Sequence, residues 1–269
     1  LHWTVATKQP AMTAPAMADK LQHIEREEAL EDFVDEVGHL VRSQVAGVIG
    51  NLCVVAPLVL AVQGLCWAAF GMPLVGVHDA EYVMHSLGLF GPSLLFAAFT
   101  GTLLFASSLI AGWVENWFVF HRLDSAIAWN PRIVATLGHT RAKAWSRWLR
   151  ANISGLTANI SLGMMLGLVP ALGSFFGLPL EVRHVTLATG QLAAAVGALG
   201  FGVMGSWAFW SCLLCIAGIG VLNVGVSFLC AFRVAMRSRG IRLADRRRVY
   251  AAIRARVRRE PLSFLLPPR

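Results

Sequence analysis

Polar and apolar positions fall into long blocks along this chain. Four windows carry no Asp, Glu, Lys or Arg: Ser43 to Val77, Val83 to Val114, Ala151 to Leu180 and His184 to Phe232. Each is long enough to cross the ~30 Å hydrocarbon core of a bilayer, which takes about 20 helical residues. The flanks are also helical in period. Leu21, Ile24, Phe33, Val34, Val37, Leu40 and Val41 recur among Glu25, Glu27, Glu28, Glu31, Asp32, Asp35 and Glu36, which predicts an acidic amphipathic helix feeding into the first window. Past the last window, Val249, Ile253 and Val257 recur at i, i+4 among Arg246, Arg247, Arg248, Arg254, Arg256, Arg258 and Arg259, which predicts a basic amphipathic helix. The fold class is therefore all-α, a polytopic helical bundle in a membrane.

Composition narrows the class. Of 269 residues 56% are hydrophobic and 14% charged, against about 25% charged in soluble domains. A water-soluble α/β enzyme is nearly excluded. A disordered chain is excluded too, because there is no long polar tract, and the amino end lacks the apolar cluster and small-residue cleavage site of a signal peptide.

The formal charge of +8 is unevenly spread. Residues 1–43 hold 4 Lys/Arg and 8 Asp/Glu, residues 114–150 hold 6 and 2, and residues 233–269 hold 12 and 2. The turn at His78, Asp79 and Glu81 has no Lys or Arg, and the link from Leu180 to His184 has only Arg183. The positive-inside rule then puts residues 114–150 and the carboxyl tail in the cytoplasm, and a bacterial inner membrane with both termini cytoplasmic is expected. The stretch 151–232 must cross an even number of times, although its apolar length fits three helices. Val185 to Gly205, with Thr186, Thr189 and Gln191 and a run of Ala and Gly, is the piece expected to be re-entrant or interfacial, leaving four spans. The competing reading is a short fifth span with a small-residue packing face.

Self-comparison shows a weak repeat. RSQVAGVIGN from Arg42 to Asn51 matches RANISGLTAN from Arg150 to Asn159, and Phe70-Gly71-Met72-Pro73-Leu74 matches Phe176-Gly177-Leu178-Pro179-Leu180. Two tandem two-span hairpins are expected, related by an axis along the membrane normal. The organisation read from the sequence is an acidic helix region at 1–43, a first hairpin at 44–122, a basic linker at 123–149, a second hairpin at 150–233 containing the polar segment 184–205, and a basic tail at 234–269.

Candidate chemistry is sparse. His184, Thr186, Thr189 and Gln191 are the groups expected to line a cavity for a small solute or lipid, and Asn51 and Asn159, inside the first span of each half, are expected to hydrogen-bond between helices because an unpaired buried amide is costly. His78, Asp79, Glu81 and His85 match no metal spacing and read as a solvated loop; no metal, cofactor or catalytic residue is expected. Cys212 and Cys215 form a C-x-x-C inside an apolar run, where a thiol is inert, and Cys53, Cys66 and Cys230 imply no disulfide framework. Glu115 and Asn116 stand among Trp113, Trp117 and Phe118, an interfacial belt, with Glu115 within reach of His121 or Arg122. Pro170 predicts a kink. The apolar stripe of the 19–43 helix needs a partner, either residues 123–149, chain upstream of Leu1, or another protein. Arg246, Arg247, Arg248, Arg254, Arg256, Arg258 and Arg259 suit anionic lipid headgroups, with nucleic-acid phosphates as the rival.

These residues resemble a family. ATKQPAMTA (Ala6 to Ala14), RSQ before GN (Arg42 to Asn51), WFVFHRL (Trp117 to Leu123), NISGLTANISLGMMLGLVP (Asn152 to Pro170), FFGLPLEVRHVTLATGQLA (Phe175 to Ala193) and PLSFLLPP (Pro261 to Pro268) resemble the bacterial membrane proteins called site-specific recombinase, the Gcr family, over nearly the whole chain. Members are usually longer at the amino end, so the resemblance implies a fragment. Its name implies DNA recombination, but the resemblance carries over no catalytic residues. A tyrosine recombinase needs a Tyr nucleophile with Arg and His on the transferring phosphate, in the order Arg, H-x-x-R, Tyr. Here only Tyr82 and Tyr250 exist, and the H-x-x-R at His23 to Arg26 has no Arg before it. A serine recombinase needs a soluble catalytic domain near the amino end. The expectation is a non-enzymatic membrane protein that binds or moves a small solute or lipid, with a membrane-anchored DNA-associated protein or a scaffold as alternatives.

Overall fold

A computed structural model describes residues 9–21, 27–240 and 246–264, without the side chains of residues 9–12, 51 and 246. Ten α-helices make the bundle, and no strand occurs among the described residues. Four of them are long and apolar enough to cross a membrane: α2 (Glu27–Phe70), α4 (Ser93–Phe120), α7 (His139–Phe175) and α9 (Trp207–Ser238). The shorter ones are α1 (Gln9–Lys20), α3 (Val77–Ser86), α5 (Leu123–Trp129), α6 (Pro131–Leu137), α8 (Val185–Leu199) and α10 (Arg246–Arg259).

Local chemistry sets the helix ends. Glu27 and Glu28 in the first turn of α2 suit the positive end of its dipole. Gly71 and Gly177 both take φ +66, a conformation that costs glycine little. The Gly71 N–H donates to the Trp67 carbonyl at 2.9 Å, and the Leu178 N–H to the Gly173 carbonyl at 2.8 Å. The repeated Phe-Gly-x-Pro-Leu is thus a helix C-cap used twice, with proline blocking continuation. The order long helix, short helix, long helix follows in both halves. Packing, however, crosses between them: α4 lies against α9 and α7, while α2 lies against α8. Both α2 and α7 run unbroken through their internal prolines, Pro57 and Pro170.

The expected loop at His78 to His85 is instead helix α3. Its inner face buries Ala80 and Met84, while His78, Asp79, Glu81 and His85 are exposed. The basic linker 123–149 is also helical, forming α5, α6 and the start of α7. Asn130 caps α6 by accepting from Arg132 N–H and Ile133 N–H at 2.9 and 3.4 Å, with Pro131 at the first helical position.

Two apolar cores lie at opposite ends. One, here called apical, joins α3, α8 and the first half of α9 around Leu87, Ala195, Cys212, Ile216 and Ile219. The basal one joins Met17 and Leu21, Leu30 and Phe33 of α2, Ala235 and Met236 of α9, and Val249 of α10. The partner of the acidic helix is therefore α1 with α9 and α10, and not residues 123–149. The apolar stripe of the basic helix is likewise used within the chain: Val249 is buried and Ile253 packs beside it, leaving only Val257 exposed.

Candidate functional site

The site grows from the turn after α7. Leu180 folds back on Gly173, where an added Cβ would come within 2.9 Å of the Leu180 Cβ. The chain then runs non-helically through residues 181–184 to the flank of α4 and the middle of α9. There the backbone loses water and needs partners from side chains. Thr100 of α4 accepts from the Arg183 N–H at 2.9 Å. Asn223 of α9 accepts from the Val185 N–H at 3.3 Å and donates to the carbonyls of Arg183 and Ala97 at 3.0 and 2.9 Å. Asn223 and Thr100 are completely buried. Gly101 lets α9 approach α4 here, since an added Cβ would stand 2.7 Å from the Val226 Cβ.

Helix α8 then returns alongside α2 in the same direction. Gly190 faces Val55 and Val59, and Gly197 faces Gln63 one turn farther on. A 3-10 turn, Phe201–Gly205, leads to α9, whose first residues Ser206 caps by accepting from the Phe209 N–H. At 15 residues, α8 rises only about 22 Å, short of a span. The chain from α7 through α8 to α9 thus turns back within the bundle.

Two buried cationic-type side chains sit where this segment turns. Arg183 Nη2 pairs with Glu181 Oε2 at 2.6 Å; the Arg183 side chain is 9% exposed and that of Glu181 is 42% exposed. His184 caps α8, its Nδ1 accepting from the Thr186 N–H at 3.3 Å. An accepting Nδ1 leaves the proton of a neutral imidazole on Nε2. That Nε2 and the Nε of Arg183 are buried without hydrogen-bond partners among the described residues, as are both amide atoms of Gln63. The two nitrogens are thus donors without acceptors.

Other expected site residues fall differently. Thr189 is buried but satisfied by the Val185 carbonyl at 2.8 Å, Thr186 is half-buried, and Gln191 is exposed, because α8 turns that face outward. Asn159 is exposed on α7 and makes no interhelical bond among those described; the side chain of Asn51 lies outside the described residues. The interhelical amide is Asn223. Its signal, with that of Gln63, was a lone amide inside an apolar window, the property that also draws attention to Asn51 and Asn159.

Cys212 and Cys215 are buried, their thiols directed at the Met84 and Gly88 carbonyls at 3.2 and 3.7 Å, a packing role. Among the described residues no group of three His, Cys, Asp or Glu could hold a metal. His121 Nδ1 lies 2.9 Å from the Trp117 carbonyl, and Glu115 instead lines a cavity on another face of α4.

The recombinase order can be tested again in space. The H-x-x-R at His23 to Arg26 lies outside the described residues. A second one, His39 to Arg42, follows Arg26 in the sequence. Arg42 is spent on the Ser263 carbonyl and on His39 Nδ1. Tyr82 stands beyond the far end of α2, and Tyr250 is exposed on α10 beside buried Val249. Among the described residues no hydrogen bond joins either tyrosine to the His39–Arg42 pair.

Of the basic helix, Arg247, Arg254, Arg258 and Arg259 are exposed. Arg256 binds Asp35 at 3.0 Å, Arg248 is half-buried with a partner, and the Arg246 side chain lies outside the described residues.

Comparison with curated proteins and with solved structures finds no match. The model of one sequence family, described as site-specific recombinase, matches residues 1–267, and the chain therefore belongs to that family.

Proposed function

We propose that this chain is a multi-pass protein of the bacterial inner membrane, with both termini in the cytoplasm, that binds a small anionic solute at its re-entrant segment. The observation that carries this reading is the pair of buried donors without acceptors, Arg183 Nε and His184 Nε2. An intramembrane ionisable group is costly and is kept where it does work. Donors call for an acceptor, and a guanidinium calls for an anion in bidentate geometry. Glu181, more exposed than its partner, is the counter-ion that such a solute replaces. His184 Nε2 offers a second buried donor on the neighbouring residue.

The test uses the purified full chain in detergent and a panel of acetate, succinate and inorganic phosphate. At least one anion should raise the unfolding temperature. Arg183→Gln should abolish that rise, and Glu181→Gln should enlarge it by removing the competitor. If no anion stabilises the wild type, or Arg183→Gln responds as the wild type does, the reading fails.

A second reading rests on the exposed arginines of α10. Exposed Arg247, Arg258 and Arg259, with Arg254, whose Nε donates to the Tyr250 carbonyl, can meet phosphates of anionic lipid or of DNA beside the membrane. Binding to duplex DNA that falls steeply with salt, together with weak binding to anionic vesicles, would favour a DNA-associated protein.

A further inference from the structure

A second polar feature lies at the basal end, away from the re-entrant segment. A cavity of about 320 Å³ opens between α1, α4, α7 and α9. Its lining is graded. Phe105 and the half-exposed Leu109 form its apolar end, and exposed Glu115, Ser238 and Arg239 its polar mouth. Phe105 and Glu115 are ten residues apart on one face of α4, or about 15 Å. Glu115 directly follows the charge-free window that ends at Val114, so the mouth stands at the edge of the hydrocarbon and the apolar end lies along it. Gly112 on the same face leaves the space open, since an added Cβ there would meet nothing within 4 Å.

We propose that this cavity binds the headgroup and first chain segment of an ethanolamine phospholipid. The mouth presents one anion and one cation. Glu115 has no ion pair among the described residues, and the pair of Arg239 with Asp19 is long, 3.7 Å, to a side chain 68% exposed. A primary ammonium donates hydrogen bonds to Glu115, and the phosphate beside it accepts from the Arg239 guanidinium. An acyl chain continues down onto Leu109 and Phe105. The volume is at the small end for ligand sites, which admits a headgroup and the start of one chain and leaves the rest in the bilayer. A choline headgroup has no N–H to donate, and a glycerol headgroup has no ammonium, so the site discriminates against both.

The experiment reconstitutes the full chain in bilayers of equal parts ethanolamine, choline and glycerol phospholipid with matched chains. Lipids retained after mild extraction are counted by native mass spectrometry. The ethanolamine lipid should be retained about tenfold over the choline lipid, the ratio equivalent to ~1.4 kcal/mol. Glu115→Gln should bring that ratio near one. Gly112→Leu fills the cavity from a position with room for a side chain, and should abolish retention while helicity and elution volume stay as in the wild type. Equal retention of the three lipids by the wild type, or retention unchanged in Gly112→Leu, overturns the proposal. Release of the bound lipid by an excess of chain-free phosphoethanolamine would also overturn it, making the headgroup alone the ligand.

Discussion

The two ends of the bundle are held together by opposite means. From the apical end down to mid-α9 polar side chains point inward: Asn223 and Thr100 serve a stretch of non-helical backbone that has left water. At the basal end they point outward, and Lys20–Glu36 at 3.1 Å, Arg256–Asp35 at 3.0 Å and Arg239–Asp19 at 3.7 Å rim a core built on Phe33, Met17 and Val249. The difference follows from the solvent. Where water is absent the backbone is the group that needs partners, and one amide can become indispensable. Where water is present helices satisfy their own backbone, and cohesion comes from apolar area with ion pairs of small worth.

The largest effect is expected from Asn223→Leu. It orphans the Val185 N–H and the Arg183 carbonyl, each worth about 1–3 kcal/mol when buried unpaired, and takes from the Ala97 carbonyl a bond additional to its helical one. A loss of about 4 kcal/mol should appear in unfolding by denaturing detergent. A variant as stable as the wild type would show that Asn223 does not hold the re-entrant chain.

Next comes Phe33→Ala, at about 3 kcal/mol for a buried aromatic, with its damage confined to the basal end. Trypsin should cut the arginines of α10 sooner, while Cys212 and Cys215 stay unreactive to a membrane-permeant maleimide. Exposure of both cysteines in this variant would mean that the two cores melt as one and that their separation has no energetic meaning.

Gly101→Ala sharpens the apical side. Its Cβ would meet the Val226 Cβ at 2.7 Å and the carbonyls of Leu222 and Asn223 at 3.0 Å, so overpacking should cost about 2 kcal/mol. Gly112→Ala on the same helix has open space and should be neutral or slightly stabilising, as alanine is the better helix former. Equal melting of the two variants would argue against the close approach of α4 and α9.

Much of this architecture was readable from the chain. The charge-free windows give the four long helices, and the polar run from Val185 to Gly205 holds the shorter helix α8. His184, expected beside Thr186, Thr189 and Gln191 to line a cavity, caps α8 in the structure. The rest depended on direction, which periodicity alone does not supply. Gln191 and Asn159 are polar residues in apolar surroundings, as Asn223 and Gln63 are, yet the first pair faces out and the second pair is buried. Which amide is buried is decided by how α4, α9 and α8 rotate against one another, through contacts such as Gly101 on Val226 and Gly197 on Gln63. The matched arginines of the repeat diverge for the same reason: Arg150 pairs with Asp124 at 3.0 Å, whereas Arg42 holds the Ser263 carbonyl.

The smallest effect tests the basal side most directly. Arg256 bridges Asp35 at 3.0 Å and Glu260 at 3.5 Å, with all three side chains a third or more exposed. Such pairs are screened and contribute about 0.5 kcal/mol, so Arg256→Gln should barely shift the unfolding midpoint at low salt. Near 1 M salt, where the screening length is only about 3 Å, variant and wild type should coincide. The docking of α10 should persist throughout, because Val249 remains buried against Phe33 and Met17. Salt-insensitive loss of α10 docking in Arg256→Gln would mean that the basal end, like the apical one, hangs on a single polar group, and the contrast between the two would collapse.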